Sequence, residues 1–239
     1  MEIHRRIAVM LVLGLCAAVS PARAFDVEGR VLLSPPFPER GKFEVPEERR
    51  HSCSGVQLSD SLIVSAEGRV ENALVWLEGD FKDAEETIPA GEPAALDQKD
   101  CRFEPHILLV PAGKSFRVKN SDPMGHDVRG FDGPEILFRF EMEEGVPPVE
   151  KNLPKPGRYV IRCGLHKWMH AYAVSIPHRF YAVSDAQGKF HFSGVPEGRY
   201  TVRIWHEKLG EAEAPLAVGE SVRDFAYTFP TARAVGKDR

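Results

Sequence analysis

Residues 158–176 read Arg158-Tyr-Val-Ile-Arg-Cys163-Gly-Leu-His166-Lys-Trp-Met169-His170-Ala-Tyr-Ala-Val-Ser-Ile176. Tyr159, Ile161 and Cys163 share one face of a strand and Arg158 and Arg162 the other, because side chains in a strand alternate with period two. Tyr172, Val174 and Ile176 alternate with Ala171, Ala173 and Ser175 in the same way. The stretch is therefore two strands joined by a short loop, residues 164–170, and Cys163 points inward from the end of the first. That loop sets a thiolate, an imidazole and a thioether within seven residues.

The pattern continues outward. Ser115-Phe-Arg-Val-Lys119 alternates cleanly, and 19 Pro and 20 Gly punctuate a chain that has hardly any i, i+3, i+4 periodicity after its first two dozen residues. The expected fold class is all-β. By composition the sequence divides into a signal segment (1–24), an N-terminal β segment with a long Pro-rich loop (25–98), a central region (99–178), a C-terminal β region (179–229) and a frayed tail (230–239). Gly29, Gly68, Gly188 and Gly198 each precede a basic and then an apolar residue, as expected of glycines at hairpin turns.

Arg5 and Arg6 precede an apolar run from Ile7 to Val19, and Ala22-Arg23-Ala24 supplies small residues for cleavage, so the start reads as a secretory signal peptide. The run is shorter than the ~20 residues of a membrane span. A formal net charge of −4 offers no field for a phosphate backbone, which argues against nucleic acid as a partner. Export to a periplasmic or extracellular setting favours disulfides, yet three cysteines remain after residue 24: Cys53, Cys101 and Cys163. One thiol is left over.

A thiolate and an imidazole with a weak thioether contact suit copper cycling between its +1 and +2 states, whereas zinc asks for a stronger fourth donor than Met. The missing imidazole is assigned to His126, in Asn120-Ser-Asp-Pro-Met-Gly-His126-Asp127, which follows the strand ending at Lys119. The expected set is His126, Cys163, His166 and Met169 around one type 1 copper ion. With Cys163 claimed by metal, Cys53 and Cys101 are expected to form the disulfide.

Over residues 99–178 these motifs resemble the cupredoxins: a Pro111-Ala-Gly113 turn, a strand, an Asn-Ser-Asp corner with the first His, then Pro156-Gly-Arg-Tyr159 leading into the Cys-x2-His-x2-Met loop. The resemblance implies a Greek-key sandwich and a redox partner protein docked near Met124, Leu165 and Trp168, with His166 at the domain edge. One departure is Asp127, where the family usually has an Asn that ties the ligand loops together. The whole chain also resembles exported proteins labelled methylamine-utilisation or plastocyanin-like, which add a carboxypeptidase-regulatory-like module similar to transthyretin. Gln98 to His106 and Tyr181 to Glu207 carry that likeness. It implies a second β-sandwich, completed by residues 26–33 and 73–77, with the copper module as an insertion.

His106, beside an apolar strand, is expected to be hydrogen-bonded locally, and Trp205-His-Glu207 to end a strand. No His-x-His pair, HExxH motif, nucleophile elbow or Walker loop is present, so the sequence predicts a carrier and not an enzyme. The alternative is a copper-binding accessory or storage protein whose C-terminal module binds a partner or an envelope polymer. The oligomeric state is not specified by these patterns.

Overall fold

The computed structural model describes residues 23–47, 53, 55–81 and 93–231. The expected signal segment, up to residue 22, and residues 232–239 of the tail lie outside the described residues. The fold is all-β, and among the described residues no helix is long and apolar enough to cross a membrane.

One pair of sheets forms an inner sandwich. The first sheet orders Val149–Asn152, Ser115–Asn120, Ala94–Lys99 and Arg102–Glu104; the second orders Glu135–Met142, His126–Asp132, Gly157–Cys163, His170–Ser175 and Ile107–Leu109. Phe116 and Val118 alternate with the more exposed Ser115, Arg117 and Lys119, so they point between the sheets, where Leu96, Val128, Ile161 and Ala173 also lie. Ala94–Lys99 runs parallel to Ser115–Asn120, and Ile107–Leu109 parallel to His170–Ser175, so the chain crosses between sheets there instead of turning back as a hairpin.

An outer sandwich is made from both ends of the described chain. Ala24–Leu33 lies between Lys189–Pro196 and Val222–Phe229, while Leu74–Glu78 lies between Tyr181–Val183 and Gly198–His206, with Gly210–Val218 at the edge. Val27, Val31, Val75, Leu77, Phe190, Phe192, Val202 and Ile204 fill the space between. Leu74–Glu78 and Tyr181–Val183 pair directly, and every strand of the inner sandwich falls between them in sequence.

The four punctuating glycines split. Gly68 and Gly188 have φ of 78° and 68°, the left-handed region a turn requires. At Gly188 the turn is closed by Asp185, whose carboxylate accepts the Gln187 and Lys189 amides. Gly29 and Gly198 instead lie in strands; at Gly29 a Cβ would sit 2.4 Å from the Phe190 ring, so glycine there makes room for an aromatic side chain.

The strand His170–Ser175 is buried on both faces. Ala171 and Ala173 face the inner core, whereas Tyr172 and Val174 join Ile176, Leu74, Trp76 and Trp205 in a third apolar cluster between the sandwiches. This explains the alternation of small with large apolar residues in that stretch. Phe190→Ala should lower the unfolding free energy by about 3–5 kcal/mol, since Phe190 is buried in the outer core. Urea denaturation followed by tryptophan fluorescence measures it.

Candidate metal centre

The centre is assembled by strand register. His126–Asp132 pairs antiparallel with Gly157–Cys163, with Val128 opposite Cys163. His126 is two residues from Val128 and so shares its face, which makes it a diagonal neighbour of Cys163 within reach of a long side chain. The loop then folds back: the Gly164 amide donates to the Asp127 carbonyl (2.7 Å), the Met169 amide to the His166 carbonyl (2.9 Å) and the Cys163 amide to the Met169 carbonyl (3.1 Å). That turn swings His166 over Cys163.

The result is a buried triad. Cys163 Sγ lies 3.5 Å from His166 Nδ1 and 3.7 Å from His126 Nδ1, and the two Nδ1 atoms are 3.1 Å apart. Met169 is buried in the same core, and its backbone closes the loop. Val45 and the Cys53–Cys101 disulfide belong to that core too, with Met124 and Trp168 packed against it. The Trp168 ring is 5.2 Å from that of His166, and its indole N–H donates to the Cys101 carbonyl.

His166 is fully buried, at 0 % exposure, so the edge position implied by the cupredoxin resemblance is not what the fold provides. The exposed residues of this loop are the neighbouring Gly164, Leu165 and Lys167, with Leu165 at 45 % the large apolar one. Met124, too, is only partly buried against this core, with its sulfur 3.8 Å from both sulfurs of the disulfide.

His126 has a partner that aims it. The Asn120 amide donates to the Met124 and Met142 carbonyls, and its oxygen accepts the Asp122 amide, which fixes the corner before His126. Asp122, itself buried, accepts from His126 Nε2 (2.9 Å) and from the Cys101 amide (3.0 Å). With Nε2 engaged, His126 presents Nδ1 to the sulfur, the arrangement by which an outer carboxylate orients a ligating imidazole.

Burial pushes the His126 imidazole down, but hydrogen bonds with Asp122 and Cys163 outweigh it and lift its pKa to about 9. Burial likewise pushes the Cys163 thiol up, while hydrogen bonds with His126 and His166 and with the Leu165 and Asp127 amides bring it down to about 5. The sulfur is held as thiolate, the form that binds metal.

Asp127, the residue after His126, links the two donor segments through its backbone. Its backbone carbonyl makes the tie to Gly164, and its buried carboxylate is gripped by Arg129 and Arg139. A Cβ at Gly164 would come within 2.3 Å of both the Asp127 carboxylate and the Arg129 guanidinium, so a larger residue there would push this ion pair aside. Asp122 went unassigned in the sequence, although it sits in the quoted corner four residues before His126. His106 is outside this triad and bonds Glu207 across the sandwich junction.

No protein-family model matches the chain, and no curated protein matches it. Among solved structures, a purple cupredoxin from Nitrosopumilus maritimus aligns at 19% identity and a TM-score of 0.31, over 35% of this chain and 99% of that one. Amicyanin from Paracoccus versutus aligns at 15% identity and 0.33, over 42% and 97%. A Cu-containing nitrite reductase from Thermus scotoductus SA-01 gives 24% and 0.33, over 37% of this chain and only 23% of its own length. These partial likenesses carry no weight for the site, which stands on its own donors. Asp122→Asn should leave the fold intact and weaken Cu(II) binding about 10–100-fold, as loss of an outer-shell partner does; competition with a chelator reads it.

Proposed function

We propose that the protein is an exported blue copper protein, a one-electron carrier without catalytic activity of its own. The observation that supports it is the buried thiolate with two imidazole nitrogens within 3.7 Å of its sulfur. One soft and two borderline donors, with a thioether residue six positions after the cysteine, fit copper better than any harder ion. His126, Cys163 and His166 would hold the ion, with Met169 as a weaker fourth donor. Copper bound there supplies the one-electron change between its +1 and +2 states.

The chain contributes rigidity and dryness. Asp122 orients His126, the Asp127–Gly164 bond joins the ligand loops, and the apolar core around Val45, Met169 and the disulfide keeps water out. A donor set that keeps one arrangement in both oxidation states lowers the reorganisation that each electron transfer requires. In this reading a redox partner docks at Leu165, where the Trp168 indole lies next to His166.

The complete burial of His166 favours a second reading, a copper-holding accessory protein that releases or stores the ion without rapid exchange of electrons. Voltammetry separates the two: a carrier cycles reversibly and keeps its metal.

Cu(II) loading should produce an intense visible thiolate-to-copper band that reductant bleaches. Cys163→Ser should abolish the band and His106→Ala should leave it. Met169→Leu should keep both copper and band yet raise the reduction potential, because loss of a donor destabilises Cu(II) more than Cu(I). An unchanged potential would make Met169 a packing residue only. Should Cys163→Ser retain the band, the assignment of the thiolate would be wrong.

A further inference from the structure

We infer that His106, His170 and Glu207 form a second metal site, for a borderline divalent cation such as zinc or cobalt, at the junction of the two sandwiches. The donors come from three separate parts of the chain. His106 immediately precedes Ile107–Leu109, His170 opens the neighbouring strand His170–Ser175, and Glu207 follows the outer-sandwich strand Gly198–His206. Pairing of the first two strands is extended by a Tyr172 amide bond to the His106 carbonyl (2.9 Å), which sets both imidazoles at one end of the sheet. Trp205, packed on Tyr172 at 4.8 Å, brings Glu207 over them.

Both imidazoles present Nε2 to the same carboxylate. His106 Nε2 is 2.5 Å from Glu207 Oε1, and His170 Nε2 is 3.1 Å from Oε2 and 3.4 Å from Oε1. The three donor atoms lie within 4.8 Å of one another. Zinc bonds of ~2.0–2.2 Å put tetrahedral donors about 3.3 Å apart, so small side-chain rotations that change donor separations by up to about 1.5 Å would seat an ion. The ring nitrogen of His170 away from the carboxylate faces the Trp168 carbonyl at 3.4 Å, the backbone partner that orients a ligating histidine. His106 Nδ1 is buried without a partner whether Nε2 holds a proton or a metal, so it favours neither state.

Two histidines and a carboxylate leave a coordination position open, as zinc sites with three protein ligands do. His170 and Glu207 also border a cleft of about 370 Å³, with Ser61, Tyr172 and the basic residues Arg162, Lys167 and Lys208 among its other walls, while His106 lines a separate cleft. Cys163 takes no part, so this site does not depend on the copper reading. Because Glu207 belongs to one sandwich and both histidines to the other, bound metal also joins the two.

Cobalt is the probe, since a thiolate-to-cobalt charge-transfer band reports Cys163 separately from the total metal count. Full-length protein equilibrated with Co(II) should hold one ion more per chain than Glu207→Gln, with the thiolate band equal in both. The variant's affinity at the second site should fall by more than the ~10–100-fold that an outer-shell loss costs. Equal counts in the two proteins would overturn the inference. If the thiolate band is missing but the count still differs by one, Co(II) does not occupy the Cys163 site and this inference stands. Anomalous diffraction from wild-type crystals grown with cobalt decides without any variant: a peak bonded to both Nε2 atoms and the Glu207 carboxylate is expected, and no peak there at saturating cobalt refutes the site.

Discussion

The antiparallel register that sets Val128 opposite Cys163 is the constraint on which the candidate metal centre depends. Moving that pairing by one residue would turn His126 to the other face of its sheet and leave Cys163 with only His166, from its own loop, as a nitrogen partner. The register is held by burial on one side, where Val128, Ile161 and Tyr159 enter the core, and by the Gly164 bond to Asp127 at its end. Core packing and donor placement are thus one requirement, because the alternation that buries apolar residues also points Cys163 and His126 inward.

Charge is arranged around that register with equal economy. A buried thiolate is unfavourable unless hydrogen-bond donors face it, and here two imidazoles and two backbone amides do so. The acids behind them have separate tasks. Asp122 steers one imidazole and accepts an amide from the disulfide-bonded Cys101, so the oxidised N-terminal segment and the donor corner share a single carboxylate. Asp127 braces the other side with two arginines.

The sequence exposed what is local. The Cys-x2-His-x2-Met spacing sits in a single loop, and period-two alternation marks the strands on either side, so the all-β class and the loop chemistry are visible without coordinates. His126 could be placed because it follows a strong strand. The deep position of His166 was not visible: the Trp168 ring that lies against it is tied to the Cys101 carbonyl, more than sixty residues earlier. The grouping of His106, His170 and Glu207 was hidden for a similar reason. Each residue has an ordinary local setting at a strand end, and only the packing of one sandwich on another brings them together. Period-two patterns show which face a side chain takes within its sheet; they carry no information about which sheet will cover that face.

The first described strand, Ala24–Leu33, runs parallel to the last, Val222–Phe229. The three-stranded sheet therefore cannot be completed until nearly the whole chain is available, whereas every strand of the inner sandwich is present by Ser175. Closing the outer sheet requires a loop of about two hundred residues, and such non-local pairing is slow because the entropy of closure must be overcome before any contact rewards it. A chain released from its N-terminus would assemble the donor-bearing module while its own leading strand still lacked both neighbours. That strand's unpaired edges would then be the segment most in need of protection from wrong partners during maturation.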